Sequence, residues 1–135
     1  MMDLETESAG PIALTNFDEV RDALSKLDAK RDGFVILKDD KRLIQTAFDG
    51  DGFVIEKSEG ADDPLYRAFR NGTEKFAVID VEAAFQSWYG RAPMPAGLQW
   101  SVEDEGGTSI PFKRILLTVL LVGAACIFYA IVRNR

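Results

Sequence analysis

The chain contains no histidine and only one cysteine, Cys126. Histidine is the commonest general base and a frequent zinc ligand, so its absence removes both roles from any site in this protein. A single cysteine excludes a disulfide within one chain and a metal site built from several thiolates. Neither a G-x-S-x-G nucleophile elbow nor a GxxxxGKS/T phosphate loop occurs. We expect no enzymatic activity, no cofactor and no bound metal. Enzymes without histidine exist and use paired carboxylates or lysine, so an enzyme that acts on lipid or nucleotide is the alternative.

Charge is absent from one long apolar run, residues 115–132, which reads ILLTVLLVGAACIFYAIV. As a helix this run would be about 27 Å long, close to the roughly 30 Å hydrocarbon core of a bilayer. Long cationic side chains next to such a run reach the phosphate headgroups. The flanking basic residues are Lys113, Arg114, Arg133 and Arg135. The sequence predicts a transmembrane tail anchor over residues 113–135.

The N-terminal residues MMDLETE are acidic and include no apolar stretch. A secretory signal begins with basic residues and continues into an apolar run of about 7–15 residues. We therefore expect a single-pass protein of the inner (cytoplasmic) membrane of a bacterium, with its soluble domain facing the cytoplasm. Within the predicted span, the small residues Gly123, Cys126 and Ala130 share one helical face. Such a face permits close helix packing and makes a homodimer one option.

Acidic residues outnumber basic ones, 22 to 16. Four of the basic residues flank the predicted span, and no acid follows Glu105, so residues 1–112 carry a formal charge of 12 − 22 = −10. Nucleic acid and anionic lipid repel such a surface, whereas a basic protein is attracted to it. The alternative is that the charge serves only solubility. The sequence predicts a protein partner with a basic surface and no nucleic acid partner.

Two segments have the apolar spacing of amphipathic helices. The first follows Thr15 and Asn16, either of which is a good N-cap residue, and the second follows Asp80, which is another. The apolar positions are Phe17, Val20, Leu24 and Leu27 in the first helix and Val81, Ala84, Phe85 and Trp88 in the second. Gly90 is expected to end the second helix.

Between these helices, short runs rich in branched and aromatic residues alternate with turn residues. Two Asp-Gly pairs at residues 49–52 are a strong hairpin signal. Further strands are expected at residues 33–38, 42–48, 53–58 and 65–70, with another apolar run at 76–79 and an optional last strand at 98–102.

The order of these elements predicts an α+β fold, in which a four- to five-stranded antiparallel sheet carries the N-terminal and C-terminal helices on one face. We predict a flexible leader at residues 1–14, a cytoplasmic α+β domain at 15–102 and an acidic, glycine-containing linker at 103–112 before the anchor.

Alternation along the strands places Phe53 and Ile55 toward the helices and Val54 and Glu56 on the opposite face. We expect that opposite face, edged by acids, to be an open docking surface for a basic protein. An ordinary solvated sheet face is the alternative. The candidate partner-binding residues are Gln45, Asp49, Asp51, Glu56, Asp62, Asp63 and Tyr66. The residues that follow Asp49 lack the spacing of a calcium loop and fit a solvated hairpin turn.

Residues 33–88 resemble small immunity proteins of bacterial polymorphic-toxin and contact-dependent systems. The similar segments are the strands at 34–37, 43–45 and 52–56 and the helix at 81–89, which contains Phe85 and Trp88. The resemblance implies a helix-capped antiparallel sheet that binds and blocks one cognate toxin. The membrane anchor departs from the usual soluble form of these proteins.

We therefore expect a membrane-tethered, non-catalytic protein-binding module, with an immunity protein that occludes a toxin as the most concrete form. The alternative is an accessory subunit of a membrane complex, in which the transmembrane helix makes the main contact.

Overall fold

The structure, a computed structural model, describes residues 2–60 and 62–102. The predicted linker and tail anchor lie outside the described residues, and so do the flanking basic residues and the candidate packing residues Gly123, Cys126 and Ala130. In the part of the chain that is described, neither helix is long and apolar enough to cross a bilayer.

Within residues 2–60 and 62–102, seven strands form one antiparallel sheet, and two helices accompany it. The strands are β1 (Met2–Thr6), β2 (Ala9–Ala13), β3 (Phe34–Asp39), β4 (Arg42–Phe48), β5 (Phe53–Ser58), β6 (Tyr66–Phe69) and β7 (Gln99–Val102), and the helices are α1 (Asp18–Lys30) and α2 (Val78–Tyr89). The strand order across the sheet is β2-β1-β3-β4-β5-β6-β7. The α+β class is confirmed, but the predicted count of four or five strands was too small.

The additional strands come mainly from the N-terminus, for which the sequence predicts a flexible leader. Residues 2–13 instead form the β1–β2 hairpin, and β1 pairs with β3 through Leu4 opposite Leu37. Leu4 is buried, whereas its neighbours Asp3 and Glu5 are half-buried on the other side of the strand. The prediction failed because the period-two pattern extends over only a few residues, and the acids within it give the segment the composition of a polar leader.

Helix α1 begins at Asp18, later than a cap at Thr15 or Asn16 would place it. Phe17 occupies the N-cap position, not Thr15 or Asn16, and its side chain makes no capping hydrogen bond. Instead, the Glu19 carboxylate accepts hydrogen bonds from the Thr15 hydroxyl (2.6 Å), the Thr15 N–H (2.7 Å) and the Asn16 N–H (3.2 Å). These bonds stabilise the carboxylate, so the pKa of Glu19 is lowered from its ordinary value.

Helix α2 begins earlier than predicted, at Val78. Asp80 therefore lies in the first turn, where its negative charge still interacts favourably with the helix dipole. The apolar run at residues 76–79 is divided: Phe76 forms an isolated bridge with Phe53, and the helix begins two residues later.

The predicted helical stripes are confirmed, because all eight of their apolar side chains are buried. They pack against the sheet face that carries Leu4, Val35, Leu37, Ile44, Phe53, Ile55 and Ala68. The predicted division of β5 into two faces is also confirmed, with Phe53 and Ile55 toward the helices. We call this the helix-covered face, and the opposite one the second face.

Candidate partner-binding site

The second face contains two of the predicted partner-binding residues, Gln45 and Glu56. Neither is accessible, because both side chains are buried together with the apolar Ile36 and Val54 on the same face. The expectation of an open or solvated face is therefore corrected. The sequence contains a signal for this: β3 begins with Phe34-Val35-Ile36-Leu37, an apolar run without alternation, which is typical of a strand buried on both sides.

Glu56 lies at the centre of a polar row that crosses three strands. The register places Gln45 on β4 and Arg67 on β6 directly opposite Glu56 on β5. Arg67 donates to Glu56 Oε2 from Nη2 at 2.6 Å and from Nε at 3.0 Å, and Gln45 Nε2 donates to Oε1 at 3.0 Å. The row pairs the buried Glu56 carboxylate with the buried Arg67 guanidinium. This pairing offsets the free-energy cost of removing both charges from water.

Arg67 was not in the predicted set, although it is as much a part of this row as Glu56. Its side chain is 4% exposed and that of Glu56 is 0% exposed. The two opposite charges lie on neighbouring strands of the predicted sheet, but only the observed register shows that they face each other. Glu56 and Arg67 therefore have a structural role in this row. Because both side chains are buried, neither charge is accessible to attract a partner.

The predicted candidates Asp49 and Asp51 lie together at the β4–β5 turn, beside Lys75. Lys75 Nζ is 3.2 Å from Asp49 Oδ2 and 3.3 Å from Asp51 Oδ1, and it donates to the Asp49 carbonyl at 2.6 Å. Burial disfavours the ammonium, but the two carboxylates outweigh that effect and raise the pKa of Lys75. Gly52 permits this approach, because a Cβ there would lie 2.8 Å from Lys75 Cβ.

The remaining candidates are separated from both groups. Asp63 lies in the β5–β6 loop, where its Oδ2 accepts the Glu59 N–H at 3.1 Å, and its neighbour Asp62 is exposed. Tyr66 has the same strand parity as the buried Ala68, so it lies on the helix-covered side of β6, half-buried. The seven predicted residues therefore lie in separate places and do not converge on one site.

The described residues contain no group of three or more His, Cys, Asp or Glu side chains that could hold a metal ion. The Asp39 carboxylate lies 2.6 Å from Arg91 Nη2 and 3.7 Å from Arg42 Nη2. Its carboxylate is thus engaged in ion pairs, as that of Glu56 is.

A concave surface that the sequence did not predict lies between α1 and the β1–β2 hairpin. This hairpin groove encloses about 500 Å³. Its apolar floor consists of Leu4, Ile12, Ala23, Leu27, Phe34 and Val35, and its charged rim consists of Glu7, Glu19, Asp22, Asp32, Lys26 and Lys30. Four acids and two bases give the rim a formal charge of −4 + 2 = −2. The groove was missed because one of its walls was assigned to the leader.

Comparisons of this chain with known protein families, with curated proteins and with solved structures find no match.

Proposed function

We propose that the chain is a membrane-tethered, non-catalytic module that binds a basic protein. The observation that carries this proposal is the hairpin groove, in which an apolar floor lies beside an acidic rim. Protein interfaces commonly combine an apolar centre with polar and charged edges. The described residues also favour a positively charged partner, because 12 basic and 19 acidic residues give them a formal charge of 12 − 19 = −7.

The mechanism is stoichiometric occlusion. Accessible acids accelerate the approach of a basic partner, and burial of apolar surface holds the complex together. A bacterial toxin is the most concrete partner, and the resemblance to immunity proteins in β3, β4, β5 and α2 supports that choice. As an immunity protein, the chain would cover the active surface of one cognate toxin.

Residues 115–132 supply the tether in this proposal. Their length, apolarity and basic flanks support a single membrane span. The proposal places this span in the inner membrane, with the binding domain on the cytoplasmic side. A tether confines the domain to the membrane surface and so raises its effective concentration for a partner that arrives there.

A stoichiometry experiment tests occlusion against catalysis. The intact protein is solubilised from membranes in mild detergent, co-purifying proteins are identified, and the isolated partner's activity is titrated with the intact protein. Occlusion predicts a linear loss of activity that is complete at one equivalent. Inactivation of many partner molecules by one copy would indicate an enzyme, and the absence of any co-purifying basic protein would contradict the binding proposal.

An accessory subunit of a membrane complex is the second candidate. It is favoured by the small residues Gly123, Cys126 and Ala130, which share one face of the predicted span. Replacing residues 115–132 with an unrelated apolar helix separates the two proposals. A simple tether survives this exchange with full partner binding, whereas a packed subunit loses its complex.

A further inference from the structure

Large apolar side chains are markedly exposed at three places in the described part of the chain: Ile12 (50%), Ile79 (73%) and Val102 (58%). Ile79 lies in the first turn of α2, and Val102 lies at the end of the edge strand β7. Of the three, Ile12 lines the hairpin groove. An exposed apolar side chain within a concave surface is more informative than an isolated one, because a partner can cover it on several sides.

The groove continues inward from Ile12 to the edge of the core. Leu4 on β1 and Leu27 on α1 belong to the main core cluster and also line the floor. Ala23, one helical turn before Leu27, also belongs to the floor and has a small side chain.

The rim shows which charges remain for a partner. Lys26 lies 3.1 Å from Asp22, so these two charges offset each other. Glu19 holds the backbone before α1 and keeps its negative charge. Lys30 is exposed and forms no ion pair with any described residue, so its charge opposes one of the remaining acids. Glu7 and Asp32 are also exposed and form no ion pair within the described part of the chain. They flank the glycine at residue 33, where a Cβ would lie 3.2 Å from Glu7 Oε2.

The adjoining edge of the sheet limits how a partner can bind. Strand β2 is at the edge, and Pro11 within it has no N–H. Proline on an edge strand interrupts the row of backbone donors that an added strand would use. Recognition at the groove therefore depends on side chains.

We propose that the hairpin groove binds a basic, amphipathic segment of the partner protein. Large apolar side chains of that segment pack on Ile12, Leu4 and Leu27, and its lysine or arginine side chains face Glu7 and Asp32. This inference rests on the proposed function and names the surface and the partner chemistry through which that function is performed.

A peptide selection tests the inference even while the partner protein is unidentified. The full chain, reconstituted in neutral phosphatidylcholine nanodiscs, is presented to a random displayed peptide library after depletion on empty discs. We expect the enriched peptides to contain lysine or arginine together with large apolar residues on one face. Each enriched peptide is then titrated against the wild-type protein and two matched variants, Ile12→Lys and Ile79→Lys.

Ile12→Lys is expected to weaken peptide binding at least tenfold, because it places a cation in the apolar floor, whereas Ile79→Lys leaves binding unchanged. Both side chains are exposed, so both variants are expected to fold, which circular dichroism verifies. The double variant Glu7→Lys/Asp32→Lys should bind a basic peptide more weakly than wild type does, and it should bind the peptide's neutral analogue with unchanged affinity.

Several results would overturn the inference: no enrichment, enrichment of acidic or uncharged peptides, or equal affinities of the two isoleucine variants. A dimer of the intact protein that Ile12→Lys dissociates would assign the groove to a second copy instead. If a co-purified partner binds Ile12→Lys as tightly as wild type, the groove assignment fails and the proposed function stands. If no partner binds the wild-type protein, the proposed function itself fails.

Discussion

Two acidic regions of this molecule look alike in the sequence and differ in the structure. Glu56 lies in the interior of the second face and is held by Arg67 and Gln45. Glu7 and Asp32 lie at the rim of the hairpin groove, exposed and without an ion pair among the described residues. Net charge counts all three equally. Because Glu56 is buried and paired, it stabilises the fold, whereas the exposed Glu7 and Asp32 are accessible to a partner.

The largest expected effect is that of Arg67→Ala. Removing the guanidinium takes away the cation that donates two hydrogen bonds to the buried Glu56 carboxylate, so we expect the free energy of unfolding to fall by about 3–5 kcal/mol. The measurement is chemical denaturation of the intact protein in detergent, followed by tryptophan fluorescence.

Arg70→Ala is the matched control, since Arg70 pairs with Asp80 at 3.1 Å in a partly exposed setting. It should cost about 1 kcal/mol or less. The double variant Glu56→Met/Arg67→Met should recover most of the loss, because it removes both charges together. A loss below about 1 kcal/mol for Arg67→Ala would show that Glu56 is not held as described.

A smaller effect is expected at the β4–β5 turn. Lys75 is 31% exposed and Asp51 is 84% exposed, so solvent weakens their attraction. Lys75→Ala should lower the free energy of unfolding by about 1 kcal/mol, measured by the same denaturation. If its cost equalled that of Arg67→Ala, burial would not be what makes the pair of Glu56 and Arg67 more important for stability than the exposed pairs at this turn.

The smallest effects are changes in the pH dependence of stability, and they have opposite signs at two glutamates. The lowered pKa of Glu19 contributes stability that is present above its ordinary pKa and is lost as pH falls through the folded value. Burial raises the pKa of Glu5, although Lys38 opposes this, so its effect on stability becomes unfavourable as pH rises through the folded value.

Thermal unfolding of the intact protein across the acid range measures both effects. Glu19→Gln should make the loss of stability toward low pH less steep, and Glu5→Gln should remove the loss toward neutral pH. Identical pH profiles for both variants and wild type would contradict these assignments.

The sequence predicted the elements whose apolar periodicity is long and regular. Helices α1 and α2 bury the expected stripes, and the alternation of β5 correctly assigned Phe53 and Ile55 to the helix-covered face. Asp-Gly turns correctly located the β4–β5 hairpin. In these elements the local pattern and the tertiary packing favour the same structure.

The prediction failed where structure depends on partners distant in sequence. Strand β1 pairs with β3 although about thirty residues separate them along the chain, and its short apolar pattern gave no indication of this pairing. The binding candidates were chosen from the predicted open sheet face and its acidic edge, so Glu56 was included. Glu7 was not, because its segment was assigned to the leader, and neither was Asp32. Only the register across β4, β5 and β6 shows that Glu56 faces Arg67.

The most direct test of the account is the association rate constant of the intact protein and its co-purified partner, measured at increasing salt concentration. Accessible acids that steer a basic partner predict a rate constant that falls as salt rises. This dependence should be weaker for Glu7→Lys/Asp32→Lys than for Asp62→Lys/Asp63→Lys, which reverses acids in the β5–β6 loop. A rate constant that does not change with salt, or a stronger effect of the loop variant, would contradict the account.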